Sequence, residues 1–495
     1  MVDEAWAGGY VVDVEYTHGF YPDLAPLNLA MAANLAGRRA IDADSDFTYL
    51  ELGCGNGFST ALLAAANPHG RFWGNDFNPV HIHNARATAQ AAGTDNVTFL
   101  EASFEALLDV DLPDFDIIAM HGIWSWISAE NRHYLVELMR RRLKPGGLVY
   151  VSYNCLPGWS GVAPLRRLMK LGVTQSAAPA EARVAQALGF SRTMRDGDAA
   201  YFAGAPHAGA VLDQLATQDP AYLAHEYLND QWWLFYQDEV ADALAPARLG
   251  YIAQARLMDG FDQFNLTAKQ RTVLTGPESQ ATPEVVRDFL LDRRFRRDIY
   301  GRSAPAITPL DVSQWMAGRR FALARLRALC PLKFKAPAGE FDLTPHVFEA
   351  MLDALIASPA SMAELRVLPG VASIEPRHIE QSLGVLCALG YVLPALAEVH
   401  DARRKISTDR FNAAALRSAA AGKPVAALAS PVTGTGIALP GPEQAFLAAI
   451  LSGQSPESVV ETLAPGSEAQ QSALRLRARN FAQHGLGVLR GLQVI

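Results

Sequence analysis

The sequence predicts an α/β protein, built on a mainly parallel, doubly wound sheet and followed by mostly helical regions. From residue 47 to 153, short apolar runs alternate with amphipathic stretches of helical length, which is the pattern of βαβ units. Residues 160–230 are Ala-rich and helical in pattern, as is much of the chain after 265. At roughly 100 to 200 residues per domain, 495 residues predict two to four domains.

Each element follows from its local pattern. The predicted strands are the buried apolar runs 47–53, 71–77, 96–102, 115–121 and 147–153. The predicted helices between them begin near Asn56 and cover 79–92 and 130–143. The last of these should end at the sequence KPGG, because proline and glycine do not continue a helix. Residues 235–258 add one more helix and strand, so 160–230 is expected to be a helical insertion above the sheet.

These elements predict a division of the chain into five parts. An Arg-dense stretch at 287–300 is expected to be a solvated or ion-paired helix face. The predicted parts are a sheet domain of 1–160 and 231–264, a helical insertion of 161–230, a helical region of 265–335, a winged-helix-like module of 336–400, and a linker with C-terminal helices in 401–495.

Composition narrows the function classes. Lys and Arg number 43 against 51 Asp and Glu, so a net charge of −8 disfavours nucleic acid as the main partner. The opening MVDE lacks a basic n-region, which predicts a cytoplasmic protein. The longest apolar run, 385–396, is far shorter than the ~20 residues of a membrane helix. Four scattered cysteines without a CxxC pair predict neither a disulfide framework nor a metal site.

A glycine-rich turn follows the first strand. The sequence ELGCGNG places Gly53, Gly55 and Gly57 between strand and helix, with Glu51 before them. Glycine permits positive φ and close approach of a ligand, and the amides of such a turn can bind a polar or anionic group. The spacing is not G-x-G-x-x-G, because Phe58 stands where the third glycine would be, and no G-K-[ST] is present.

An acid ends the second strand. Asp76 lies 23 positions after Gly53, where a carboxylate can accept hydrogen bonds from two ribose hydroxyls. Together with the glycine turn, it predicts an adenosyl ligand that has no pyrophosphate.

On these residues the chain resembles the class I S-adenosylmethionine-dependent methyltransferases over about 47–153. The resemblance implies a Rossmann-like, seven-stranded methyltransferase sheet and S-adenosyl-L-methionine as cofactor, with S-adenosyl-L-homocysteine as product. An acid is common in the family where this chain has Ser103. The cofactor-binding residues implied by the family pattern are Tyr16, Glu51, Gly53, Gly55, Gly57, Asp76, Phe77, Ser103, Phe104 and His121.

A closer resemblance comes from segments outside the glycine turn. Residues 14–30, 120–128, 152–159, 225–244 and 293–302 are similar to bacterial methyltransferases that carry a methyltransferase regulatory domain. Relatives of this architecture include protein-lysine methyltransferases, which implies N-methylation of a protein amine. Two alternatives stay open: methylation of a small molecule or glycan, and a non-catalytic adaptor that binds the cofactor. The oligomeric state, homodimer included, also stays open.

Methyl transfer from a sulfonium is an in-line displacement, so positioning and electrostatics should supply most of the acceleration. An aromatic pocket would favour the deprotonated amine and attract the cationic sulfonium. The ends of strands four and five and the segment before strand one supply the candidates. The predicted catalytic residues are His18, His121 and Tyr153, and the predicted substrate-binding residues are Tyr21, Trp124, Trp126, Asn154 and Trp159. Core packing is the competing interpretation for the tryptophans, and a structural role is the competing interpretation for the histidines.

Overall fold

A seven-stranded mixed sheet forms the centre of the computed structural model, which describes residues 19–174, 176, 178–420 and 425–495. The strand order is β3-β2-β1-β4-β5-β7-β6, with β7 antiparallel to both of its neighbours. The predicted seven-stranded, Rossmann-like sheet is confirmed. Its strands are β1 (Thr48–Leu52), β2 (Arg71–Asp76), β3 (Val97–Glu101), β4 (Phe115–Met120), β5 (Leu143–Asn154), β6 (Leu249–Gln254) and β7 (Phe295–Arg302).

The helices around the first five strands follow the sequence pattern closely. Every residue of β1 is buried, as expected for a central parallel strand covered on both faces. Asn78 caps the helix after β2 by accepting from the Val80 N–H, and proline follows at its first position. These helices are α1 (Pro26–Leu35), α2 (Phe58–Ala66), α3 (Pro79–Ala92) and α4 (Ala129–Arg142).

The chain between β5 and β6 is helical, as its Ala-rich pattern predicts, and has a hydrophobic core of its own around Leu165, Leu212 and Tyr227. A π-helix at Ala224–Leu228 closes this insertion. Further short helices lie on either side of β6. The helices from β5 to β7 are α5 (Ala163–Leu171), α6 (Ala180–Asp196), α7 (Ala200–Gly204), α8 (Pro206–Leu215), α9 (Pro220–Leu223), α10 (Gln237–Leu244), α11 (Asp262–Asn265), α12 (Ala268–Thr275) and α13 (Pro283–Leu291).

The helix predicted over 287–300 is wrong in its second half. Helix α13 ends at Leu291, Asp292 takes a left-handed conformation, and Phe295–Arg302 is strand β7 in the interior of the sheet. The predicted ion pairing is present, but it lies inside the sheet and not on a helix face, because Arg296 and Asp298 are fully buried and paired with each other.

The C-terminal region combines helices with small sheets. The linker predicted from residue 401 is wrong, because a 20-residue helix occupies 401–420 and a β-hairpin follows at 427–438. Within the described ranges, no helix is long and apolar enough to cross a membrane. The elements are α14 (Pro309–Ala317), β8 (Arg320–Leu323), β9 (Lys333–Ala336), β10 (Gly339–Asp342), α15 (Pro345–Ala357), β11 (Ala360–Ser361), α16 (Met362–Arg366), α17 (Pro376–Ala388), β12 (Val392–Ala395), α18 (Asp401–Ala420), β13 (Ala427–Ser430), β14 (Thr435–Ala438), α19 (Gly441–Leu451), α20 (Val460–Leu463), α21 (Glu468–Asn480) and α22 (Leu486–Gly491).

Candidate functional site

The turn between β1 and α2 is shaped by its glycines. Gly53, Gly55 and Gly57 all have positive φ, between 53° and 68°. At Gly57 a Cβ would lie 2.4 Å from the Cβ of Ala85, so only glycine fits there. At Gly55 a Cβ would meet no atom within 4 Å, because this part of the turn faces open space. The backbone of the turn is therefore exposed to a ligand, at the amino end of α2.

Asp76 holds this turn from the end of β2. The Gly55 N–H donates to one of its carboxylate oxygens at 3.0 Å, and the Asn78 N–H donates to the other at 2.9 Å. The His81 ring nitrogen lies 3.3 Å from the same carboxylate. A carboxylate offers about four lone pairs, so Asp76 retains capacity to accept from a ligand.

A cavity of about 300 Å³ opens beside the turn, at the carboxyl ends of β1, β2 and β4. This is the edge at which open α/β sheets bind their ligands. Predicted cofactor-binding residues line it together with predicted substrate-binding ones. The lining residues that the sequence analysis singled out are Tyr21, Glu51, Gly53, Gly55, Gly57, Asp76, Phe77, Ser103, Phe104, His121 and Trp126.

Glu51 forms part of the buried floor of the cavity. The Thr60 hydroxyl donates to its carboxylate at 2.6 Å. Burial raises the pKa of Glu51 to about 7, although the Thr60 hydrogen bond opposes that shift. Near neutral pH the group therefore exists in both charge states, and it can either accept from or donate to a polar ligand.

His121 is held between two tyrosine rings at the end of β4. Its ring stacks on Tyr21 with centroids 3.9 Å apart, and its Nδ1 shares a 2.8 Å hydrogen bond with the Tyr150 hydroxyl. Burial, assisted by the charge of Arg297, lowers the pKa of His121 to about 3. The imidazole is consequently neutral at physiological pH and a weak proton acceptor, so the geometry favours an orienting role over deprotonation of an acceptor.

Four predicted residues lie outside the cavity. The Tyr153 hydroxyl donates to Asp298 at 2.7 Å inside the sheet, so its ring does not reach the site. Trp124 is fully buried in the core beneath β4. Asn154 is buried, and its N–H donates to the Ser125 hydroxyl.

Trp159 packs edge-on against Trp232, with ring centroids 5.3 Å apart, against the core of the insertion. For the two tryptophans the core-packing interpretation therefore fits the structure. Tyr16 and His18 lie outside the described residues.

The sequence analysis missed a second wall of the cavity. His225, Glu226, Asn229 and Gln231 line it from the π-helix and the segment after it. These residues belong to a stretch that carried the family resemblance, but no turn or strand signal marked them as site residues. His81, which lines the cavity beside Asp76, was also missed. Its place five residues after Asp76, in the first turn of a capped helix, is a signal that could have identified it.

The lining residues of the cavity fit an adenosyl cofactor. Asp76 offers acceptors for ribose hydroxyls, the Gly55 backbone leaves room for close approach, and Phe77 and Phe104 supply apolar surface for a purine ring. Ser103 lies beside Phe104 in the lining, in place of an acid.

Models of known protein families match two parts of the chain. A methyltransferase domain matches residues 43–188, and a domain described as a predicted methyltransferase regulatory domain matches residues 219–302. The second range contains the π-helix, β6 and β7, so the segment called regulatory supplies both a wall of the cavity and two strands of the sheet.

Known proteins resemble the chain over different lengths. An uncharacterised protein of Synechocystis is 41% identical over 444 residues, which cover 90% of this chain and 88% of that protein. PKMT2 from Rickettsia typhi, solved in complex with AdoHcy, superposes with a TM-score of 0.68 at 18% identity, over 96% of this chain and 99% of that one. A malonyl-[acyl-carrier protein] O-methyltransferase of Paenibacillus is 30% identical, over 28% of this chain and 51% of that protein.

The glycine turn, the Asp76 carboxylate and the two matched domains agree with one another. The near full-length relative extends the likeness across both domains and into the C-terminal region. The chain belongs to the class I S-adenosylmethionine-dependent methyltransferases that carry a methyltransferase regulatory domain.

Proposed function

We propose that this enzyme methylates an amine nitrogen, and that the amine is a lysine side chain of a protein. The observation that carries the proposal is the composition of the cavity lining, which includes the aromatic residues Tyr21 and Trp126 and the acidic residue Glu226. Aromatic faces and a carboxylate attract a cationic amine. A carboxylate acceptor would instead be repelled by Glu226, which argues against an activity like that named for the Paenibacillus relative.

We assign the cofactor to the glycine turn and its neighbours. Bound S-adenosylmethionine supplies an electrophilic methyl group. The backbone at Gly55 and the carboxylate of Asp76 bind and orient the nucleoside, with Phe77, Ser103 and Phe104 beside the base and Glu51 beneath the turn. Tyr21, fixed by stacking on neutral His121, and Trp126 then bind the acceptor and exclude water. Because the transfer is an in-line displacement, such positioning provides most of the rate enhancement.

The preference for protein lysine rests on the likeness in fold to PKMT2 along almost the whole chain. We further propose that residues 336–400 belong to a winged-helix-like module. Helices α15, α16 and α17 alternate there with short strands, and β8 completes the three-stranded sheet β11-β8-β12. This module would therefore begin near residue 320 rather than 336.

A labelling experiment tests the function. The purified enzyme is incubated with a bacterial lysate and S-adenosylmethionine carrying a labelled methyl group, and proteins are separated from small molecules before mass spectrometry. We expect the labelled methyl group on lysine side chains, and we expect this label to be lost with Asp76→Ala. Label that enters only low-molecular-weight compounds or glycans would exclude the protein-lysine assignment.

A further inference from the structure

Glu226 lines the same cavity as the glycine turn. It belongs to the π-helix Ala224–Leu228, and both His225 and Glu226 line the cavity from this wider turn. Turns of this kind are rare in proteins and are frequent at functional sites. The insertion therefore ends with a partly buried glutamate in the lining of the cavity.

Arg166, a cation beside Glu226, donates to backbone carbonyls and not to the Glu226 carboxyl group. Its Nη2 donates to the backbone carbonyl of Asn229 at 2.6 Å and its Nε donates to the carbonyl of Glu226 itself at 3.3 Å. Its guanidinium also lies over two indole rings, 4.6 Å from the centroid of Trp232 and 5.9 Å from that of Trp126. Among the described residues, none donates a hydrogen bond to the Glu226 carboxyl oxygens, whereas Asp76 and Glu51 in the same cavity each accept from protein groups.

The surroundings of Glu226 raise the pKa of its carboxyl group toward neutral pH. Burial raises the pKa of Glu226 to about 7, against the attraction of Arg166. Burial also raises the pKa of Tyr222 to about 12 and that of Tyr227 further, so both hydroxyls stay protonated and uncharged. His225 is the neighbour that shares the cavity wall. A carboxyl group that titrates near the working pH suits proton transfer.

Resting on the proposed amine-methylating function, we propose that Glu226 binds the acceptor ammonium by a charge-assisted hydrogen bond and accepts its proton before methyl transfer. The proton passes from the ammonium nitrogen to a Glu226 carboxylate oxygen, which frees the nitrogen lone pair. That pair forms the new N–C bond while the C–S bond breaks, and the C–S electron pair stays on sulfur. The nitrogen becomes a methylated ammonium, and Glu226 then releases its proton to solvent. Desolvation of the ammonium beside Tyr21 and Trp126 lowers the amine pKa and so assists the first step.

Binding of n-butylamine, which reproduces the end of a lysine side chain, tests the contact. Calorimetry on enzyme saturated with S-adenosylhomocysteine should show at least about tenfold weaker binding to Glu226→Gln than to wild type. Glu181→Gln, an exposed residue of α6 in the same insertion, is the matched control and should bind like wild type. Both variants should keep wild-type affinity for S-adenosylhomocysteine. Equal binding of n-butylamine to Glu226→Gln and wild type, or none to wild type, would overturn the proposal.

The pH profile tests the proton transfer. With n-butylamine as acceptor, kcat/KM of the wild type should rise with pH up to an inflection near 7, because only the ionised carboxylate accepts a proton. Glu226→Gln should lose this inflection and about 10²- to 10⁴-fold in kcat/KM. An unchanged profile in Glu226→Gln, with lysine still labelled in the lysate, would remove Glu226 from the reaction and leave the proposed function standing. Glu226-dependent binding of n-butylamine without labelled protein would support the amine site and refute the protein acceptor.

Discussion

Asp76 shows how one side chain can hold the glycine turn in place and line the cavity at once. Its carboxylate receives the N–H groups of Gly55 and Asn78, and so ties the glycine turn to the start of α3. Asp76 also lines the cavity. Because a carboxylate accepts several hydrogen bonds, these two tasks do not compete.

Replacement of Asp76 by alanine should weaken S-adenosylhomocysteine binding by well over tenfold. Two hydrogen bonds to ribose hydroxyls would be lost, each worth roughly 1.5 to 3 kcal/mol for a charged acceptor, and the turn would lose its anchor. Calorimetric titration measures the change. Asp95→Ala removes an exposed carboxylate after α3 and should bind like wild type. Unchanged affinity in Asp76→Ala would refute the assignment of the ribose to this residue.

At the scale of elements, β7 shows how buried charge can build a strand. Arg296 is fully buried, and it forms ion pairs with Asp288 of α13 at 2.6 Å, Glu284 of α13 at 2.7 Å and Asp298 of β7 at 2.9 Å. Tyr153 of β5 donates to the same Asp298. The cluster joins α13, β5 and β7. Paired charges therefore hold the antiparallel strand β7 in place in addition to its backbone hydrogen bonds.

Arg296→Met should destabilise this part of the sheet by about 3 to 5 kcal/mol, because buried carboxylates would be left without their cation. In a chain of several domains, amide hydrogen exchange reports local stability better than one unfolding midpoint. We expect exchange in β7 to accelerate by at least about 100-fold. Arg297→Met on the same strand, whose pair with Asp23 is partly exposed, should cost less than about 1 kcal/mol. Equal protection in both variants would contradict a stabilising role for the cluster.

At the scale of the whole molecule, the C-terminal region packs against the helix that follows the glycine turn. Helix α18 and the hairpin β13–β14 pack on α2, the helix that follows the glycine turn. Phe411 of α18 lies with its ring centroid 5.8 Å from that of Phe58, which lines the cavity. At the other end of α2, the Asn67 side chain donates to the Gly434 carbonyl at 2.8 Å. Residues more than 350 positions apart in the sequence therefore pack against each other beside the cavity.

Phe411→Ala should therefore lower S-adenosylhomocysteine affinity several-fold as well as stability, because Phe58 would lose its packing partner. Truncation of a buried phenylalanine costs about 3 to 5 kcal/mol. Phe446→Ala is the matched control, since Phe446 is buried in the same region but packs on Phe481. It should lose stability without a change in cofactor affinity. Calorimetry and thermal unfolding measure the two effects, and equal affinities in the two variants would show that the C-terminal support does not reach the cofactor.

The sequence by itself determined the first five strands, the helices between them, and the glycine turn and Asp76, which line the cavity. These features depend on local chemistry: the period of apolar residues, the caps of α3, and glycines beside a strand end. The same local signals placed Tyr153 and Trp124 at strand ends, but which way such side chains point depends on the pleat and on what lies beneath.

Only the tertiary structure decided the second wall of the cavity, where we propose that the acceptor binds. His225, Glu226 and Gln231 reach the cavity because the insertion folds back over the sheet edge, and no local pattern encodes that path. Strand β7 escaped prediction for a related reason. Its arginine and aspartate are buried through partners on other elements, and a sequence pattern cannot distinguish charge neutralised by distant residues from charge neutralised by water.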